Sequence, residues 1–175
     1  DYQRYALTDD CISPMAIPGT EGGIYTADGL EHNPRGTPSS MPLDHRQQLD
    51  KRLRKFANLQ HDGHWARVRG AGETCIVTWG SSSGASFEAA QRLSAAGTQT
   101  RVIAIRLLMP LPEEELRHAL AGTQRVLTVE QNHQGQLHHY LHSKKMLPAS
   151  ARSLAQPGPL PIRPNEIIRV FEEWH

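Results

Sequence analysis

Cysteine is scarce in this 175-residue chain: Cys11 and Cys75 are the two present, and neither belongs to a CxxC pair. An iron–sulfur cluster or a four-cysteine zinc site held by this chain alone is excluded, and nothing suggests a disulfide framework. Excess charge of one sign is missing too. Nineteen Lys+Arg against 18 Asp+Glu leave a net charge of +1, too little for the broad electrostatic footprint of a nucleic-acid or anionic-membrane binder. No run approaches the roughly 18 apolar residues that span a bilayer. GxGxxG, GxxxxGK[ST] and HExxH are absent. The chain opens at Asp1 without a signal-peptide pattern and reads as a piece of something longer.

What is present is divided unevenly. A hydrophobic fraction of 38% can build a core, though not over the whole length. Residues 1–42 hold 10 Gly and Pro, with no apolar period of 2 or 3.6, so no useful helix is expected there. Tyr2, Tyr5, Ile12, Ile17, Tyr25 and Leu30 are too many apolar anchors for a free tether. The expectation is an irregular connecting or active-site loop over 1–42, ordered against a neighbour. From Asp44, the spacing of Leu49, Leu53, Phe56 and Leu59 predicts an amphipathic basic helix, with Asp44 and Gln47 as a capping box.

A second domain is expected over 43–175, and there strands alternate with helices. Strands are predicted at 74–79, 100–107, 125–129 and 153–155, and a short extended piece near Trp65 and Val68. Helices are predicted at 83–96, 112–121, 135–147 and 165–174. This alternation implies βαβ units: an α/β, three-layer, mainly parallel, Rossmann-like sheet.

Ligands in such sheets lie beyond the carboxyl ends of the strands, where two loops draw the eye. One is Gly80-Ser81-Ser82-Ser83-Gly84. Ser81 and Ser82 at a helix start could hold a phosphate or carboxylate, or simply cap a tight turn; the segment is not read as a nucleophile elbow. The other runs from Glu130 through Asn132 to Gln136. It suits a polar ligand, a subunit interface or an Asn/Gly turn. His138 and His142 are four apart, and His61 and His64 share a loop, but without HExxH they read as solvent-facing. No metal site and no independent catalytic set emerges. Cys75 reads as an inert core thiol, and Cys11 as a loop residue open to exposure.

Several segments, taken in order, resemble one family. Residues 4–19, from Arg4-Tyr5 through Thr8, Ser13-Pro14 to Pro18-Gly19, are similar to the "RYxxTxDGxSPRxxPG" segment of the alpha subunit of 2-oxoacid:ferredoxin oxidoreductases. Gly29-Leu30-Glu31-His32 with Gly36 resembles "GxEHxxxG", and residues 51–55 resemble "KRxxK". Thr78-Trp79-Gly80-Ser81 resembles the "GWGS" strand end, and Glu130-Gln131-Asn132 with Gly135-Gln136 resembles "EQNxxGQ". Cys11 stands where the pattern usually has Gly, and Met15 where it often has Arg. An Arg there could bind a second carboxylate, so the choice of 2-oxoacid stays open.

The resemblance implies a C-terminal, transketolase C-terminal-like part of a cytoplasmic enzyme. That enzyme decarboxylates a 2-oxoacid on thiamine diphosphate with Mg²⁺, passes electrons through [4Fe-4S] clusters to ferredoxin, and gives the acyl group to coenzyme A. Its partners would be the rest of the alpha subunit, the beta subunit and, indirectly, ferredoxin, with no nucleic acid and no membrane. The fragment itself would bind no cofactor alone; it would position and dock. Loops on a rigid scaffold commonly supply binding groups, so Arg4, Thr8, Ser13 and His32 are the substrate or lid candidates, with loop packing as the alternative. Glu130, Asn132, Gln136, Ser81 and Ser82 are ligand or interface candidates. A nucleotide- or coenzyme A-binding Rossmann-like module, or a pure docking domain, remains open.

Overall fold

The computed structural model describes residues 1–174 and divides into two compact units, Asp1–Gln60 and His61–His175. In the second unit the strands are Ala66–Arg69 (β1), Thr74–Trp79 (β2), Thr100–Ile105 (β3), Arg125–Glu130 (β4) and Arg152–Ala155 (β5). They form one sheet in the order β1-β3-β2-β4-β5. The pairs β2–β3, β2–β4 and β4–β5 are parallel, and β1 joins β3 antiparallel at the edge. The apolar, β-branched runs TCIVTW and RVLTVE lie at the centre, as expected for strands covered on both faces.

Alternation along the strands sorts side chains between two cores. Cys75, Val77, Ile103 and Val126 pack with Leu116 and Leu120 of Glu113–Leu120 and with Leu137 and Leu141 of Gln136–Ser143. Ile76, Val102, Leu127 and Val129 pack with Ala89, Ala90 and Leu93 of Ser83–Ala95 and with Ile167 and Phe171 of Pro164–Glu172. With the helix Pro42–Ala57 of the first unit counted as α1, these are α2 (Ser83–Ala95), α3 (Glu113–Leu120), α4 (Gln136–Ser143) and α5 (Pro164–Glu172). The three-layer α/β expectation holds, with β1 as the one antiparallel strand among the described residues.

Several ends move for local reasons. Strand β3 stops at Ile105 rather than 107, because Arg106 and Leu107 both donate their N–H to the Trp65 carbonyl, at 2.7 and 3.0 Å. Helix α4 stops at Ser143 rather than 147. Lys145 turns left-handed (φ 56°), while its N–H and that of Met146 return to His142 and Leu141, a Schellman closure.

In the first unit, residues 1–41 hold no helix and no strand beyond the bridge between His32 and Pro38. Turns carry the hydrogen bonds, such as Tyr5 N–H to Pro34 and Ser39 N–H to Glu31. Helix α1 begins at Pro42, whose missing N–H and fixed φ suit a first turn. Asp44 is therefore inside the helix rather than its cap, and its carboxylate accepts the Ser39 hydroxyl.

The amphipathic expectation for α1 is reversed within the unit. Leu49, Leu53, Phe56 and Leu59 are exposed, whereas Gln48 and Lys51 are buried. The helix packs on backbone carbonyls of residues 5–6, which call for N–H donors rather than methyl groups. It thereby joins the first segment, where composition alone puts a boundary at 42/43. Cys11 lies in a loop, as expected, but the exposure left open for it is absent: it is 2% exposed and sits at φ 61°. Its left-handed conformation is the natural place for the Gly that the resembling pattern carries there.

Candidate functional site

In the first unit, the four substrate or lid candidates lie in one ordered but irregular segment, where Arg4 and His32 share the Tyr5 ring as a neighbour. Arg4 donates from a guanidinium nitrogen to the Pro14 carbonyl at 3.3 Å, and its guanidinium carbon lies 5.5 and 5.7 Å from the Tyr5 and Tyr25 ring centres. Tyr5 stacks on His32, with centroids 4.5 Å apart and planes 11° from parallel. His32 is buried, and its Nε2 lies 3.2 Å from Asp28 Oδ1, off the line of a good hydrogen bond. Thr8 is half-buried with a shielded Oγ1, and after the Ile12 N–H its hydroxyl helps hold the Asp10 carboxyl below the usual range. The Ser13 hydroxyl donates to the Ala6 carbonyl at 2.9 Å.

Two helix residues hold this segment together, and sequence reasoning assigned neither a role. Lys51 Nζ donates to Ser13 Oγ at 2.7 Å and to the carbonyls of Tyr5 and Ala6 at 3.1 and 3.3 Å. Burial, then the neighbouring Arg52 and Arg4 charges, pushes its pKa below that of an ordinary lysine. Gln48 Nε2 adds a bond to the Tyr5 carbonyl at 2.9 Å. The available signal was a polar pair three residues apart, opposite the Leu stripe. A second anchor is Glu31, whose carboxylate takes Arg52 at 2.7 Å and His45 Nδ1 at 3.1 Å. The Arg52 hydrogen bond is the main reason that its pKa falls to about 2.

In the second unit the polar loops beyond the strand ends are largely closed on themselves. Glu130, fully buried, accepts the N–H groups of Leu137 and His138 at 2.6 and 3.0 Å, and the Asn132 amide. It thus takes up two of the orphan donors at the start of α4. Asn132 Oδ1 accepts the N–H of Gln134, Gly135 and Gln136. Gly135 sits at φ 65°, and a Cβ there would stand 3.1 Å from Ser153 Oγ, so the turn requires glycine. Gln136 is exposed and borders an apolar cavity of about 320 Å³, with Trp79, Leu108, Met109, Leu137 and Tyr140.

The serine loop forms a single 3-10 turn, Gly80–Ser82, that runs into α2. Ser81 is exposed and Ser82 buried. Residues 80–84 do spell GxSxG between a strand and a helix. The hydroxyls of Ser83 and Ser86 nonetheless return to the carbonyls of Gly80 and Ser82, and among the described residues no histidine or carboxylate hydrogen-bonds a serine of this turn. That is a helix start, not an activated nucleophile.

His138 and His142 stack at 6.1 Å, with His138 Nδ1 3.0 Å from Thr128 Oγ1. Burial first, then His139 and His142, lowers the His138 pKa. His61 pairs instead with Glu115 at 3.1 Å. No three His, Cys, Asp or Glu side chains among the described residues are arranged to hold a metal. Both thiols are buried, and burial raises that of Cys75 to about 12. Two buried thiols, one in each unit, do not supply the four cysteines of an iron–sulfur cluster.

Residues 63–139 match the family "Transketolase, C-terminal domain". The chain is 34% identical over 142 residues to 2-oxoacid:ferredoxin oxidoreductase 2, subunit alpha, of Aeropyrum pernix, covering 78% of this chain and 22% of that protein. It is 32% identical over 141 residues to the corresponding alpha subunit of Saccharolobus solfataricus, with the same coverage. Among solved structures, 2-oxoglutarate:ferredoxin oxidoreductase from Magnetococcus marinus, with 2-oxoglutarate, coenzyme A and succinyl-CoA bound, superposes with a TM-score of 0.72 at 35% identity. That match covers 99% of this chain and 31% of the other. The chain spans about a fifth of the length of the curated relatives it matches. As a part, it is similar to the alpha subunits of 2-oxoacid:ferredoxin oxidoreductases, and its second unit has a transketolase C-terminal-like fold.

Proposed function

We propose that this chain is the C-terminal part of the alpha subunit of a cytoplasmic, thiamine-diphosphate-dependent enzyme. That enzyme would convert a 2-oxoacid, coenzyme A and oxidised ferredoxin to an acyl-CoA, CO₂ and reduced ferredoxin. The observation that carries the reading is the match to a solved 2-oxoglutarate:ferredoxin oxidoreductase over 99% of the chain, irregular first segment included. Thiamine diphosphate with Mg²⁺, the [4Fe-4S] clusters and coenzyme A would be held by other parts of the enzyme. When bound, thiamine supplies the carbanion chemistry of decarboxylation; this chain's residues bind and position.

Arg4 is the group best suited to a 2-oxoacid carboxylate. A guanidinium is always charged and offers a planar fork that matches a carboxylate. Thr8 is its nearest companion in sequence among the candidates, while Ser13 and His32 shape the segment. The second unit contributes a docking scaffold, since Glu130 and Asn132 spend their acceptors on their own turn. The exposed Leu49, Leu53 and Phe56 face of α1 is suited to the beta subunit or to the rest of the alpha subunit.

The test is Arg4→Met in the alpha subunit assembled with its beta subunit, with 2-oxoacid-dependent reduction of a viologen dye as the assay. KM for the 2-oxoacid is expected to rise by about tenfold or more, while KM for coenzyme A stays level. An unchanged KM for the 2-oxoacid would overturn the assignment.

A further inference from the structure

We infer that Lys51 is a positioning residue for the 2-oxoacid: its ammonium group fixes the loop that presents Arg4. The inference rests on the reading of Arg4 as a carboxylate-binding group. It adds a residue on a different element that touches no substrate.

The argument begins with what the loop lacks. Residues 4–14 belong to no strand or helix, so no ladder of backbone bonds sets their path. Besides Lys51, backbone bonds act on the segment: Tyr5 N–H to Pro34, Ala6 N–H to Gln3, and Cys11 N–H to Thr8. Side-chain bonds join Ile12 N–H to the Asp10 carboxylate, Tyr2 and Arg4 to the Pro14 carbonyl, Gln48 to the Tyr5 carbonyl, and the Ser13 hydroxyl to the Ala6 carbonyl. None of them ties both ends of the segment to a regular element. Left to these, such a segment would sample more conformations, since an unfixed residue retains its backbone entropy. Arg4 would then have no fixed direction.

Lys51 closes the segment at both ends. It reaches the carbonyls of Tyr5 and Ala6 next to Arg4, and the Ser13 hydroxyl at the far side. Three donors meet three acceptors, so the ammonium group is fully satisfied. Ser13 in turn donates back to Ala6, which completes a ring through Lys51, Ser13 and Ala6. Lys51 comes from α1, a regular helix, so the loop inherits the rigidity of that helix.

The charge matters beyond the bonds. Lys51 is 6% exposed and, among the described residues, no carboxylate lies within ion-pair distance of it. The groups facing it are the Tyr5 and Ala6 carbonyls and the Ser13 hydroxyl, with the Arg4 and Arg52 cations and Glu31 further off. A buried cation without an anionic partner is costly to place. Here it holds dipoles of the loop and leaves a positive field beside Arg4, one that favours an approaching carboxylate.

The experiment uses the assembled enzyme and compares wild type, Lys51→Met and Lys51→Arg in the 2-oxoacid-dependent viologen assay. Lys51→Met keeps the length and apolar stem but removes the donors and the charge. It is expected to raise KM for the 2-oxoacid by about tenfold, with kcat changed less than KM and KM for coenzyme A unchanged. Lys51→Arg, a cation of similar reach, is expected to recover at least part of that loss. A Lys51→Met enzyme that assembles with unchanged KM overturns the inference, as does an equal fall of affinity for both substrates. If Lys51→Met does not assemble, Lys51→Gln, which keeps two N–H donors, carries the same comparison. Failure of both to assemble also overturns it, because Lys51 would then serve folding and not loop placement. The Arg4→Met result separates the two ideas. With KM raised by Arg4→Met but not by Lys51→Met, only the role of Lys51 falls.

Discussion

Glu31 and Glu130 are two carboxylates with different tasks, and each task has its own test. Glu31 is held mainly by Arg52, so its pKa drops from 4.5 to about 2. A depressed carboxylate stabilises the fold fully above its unfolded pKa and loses that contribution as pH falls through its folded one. The loss should therefore run from about pH 4.5 down to pH 2. Because the Arg52 side chain is 49% exposed, the pair is worth no more than about 1 kcal/mol. In Arg52→Met, the carboxyl carbon signal of Glu31 followed by NMR should titrate close to 4.5; a midpoint still near 2 would contradict the assignment.

Glu130 has no solvent to fall back on. Glu130→Ala should cost about 3 kcal/mol in urea unfolding, because the Leu137 and His138 N–H groups lose their acceptor inside the protein. A cost below about 0.5 kcal/mol would mean that the carboxylate is free for another task. The residues of this turn were legible in the sequence, but their use was not. A cluster of polar side chains looks the same whether it faces a ligand or its own backbone, and burial alone distinguishes the cases.

At the scale of elements, the strands were the most legible, because runs such as TCIVTW and RVLTVE admit few other fates. Ends were harder. Helix α4 stops two residues before a left-handed Lys145, where a glycine would have advertised the stop. Lys145→Gly should therefore stabilise the chain by about 1 kcal/mol, read as a higher midpoint in thermal or urea unfolding. A lower midpoint would show that the Lys145 side chain outweighs the backbone strain. Helix α1 was found by period and misread by polarity. The rule that apolar faces turn inward assumes an apolar surface to meet, and α1 meets carbonyl oxygens through Gln48 and Lys51.

At the scale of the whole molecule, the second unit was written plainly in the alternation of strands and helices. The first was not, because its order comes from side chains that gather carbonyls, and no periodicity records such contacts. Its motif series still carried the resemblance that the relatives bear out. The central claim is that these residues work as part of a 2-oxoacid oxidoreductase. The most direct measurement is viologen reduction by the assembled alpha and beta subunits, with and without the region of residues 1–175. The account predicts reduction that needs both a 2-oxoacid and coenzyme A, and that disappears when this region is removed. Reduction that persists at the full rate without it, or an intact enzyme that ignores every 2-oxoacid, would contradict the account.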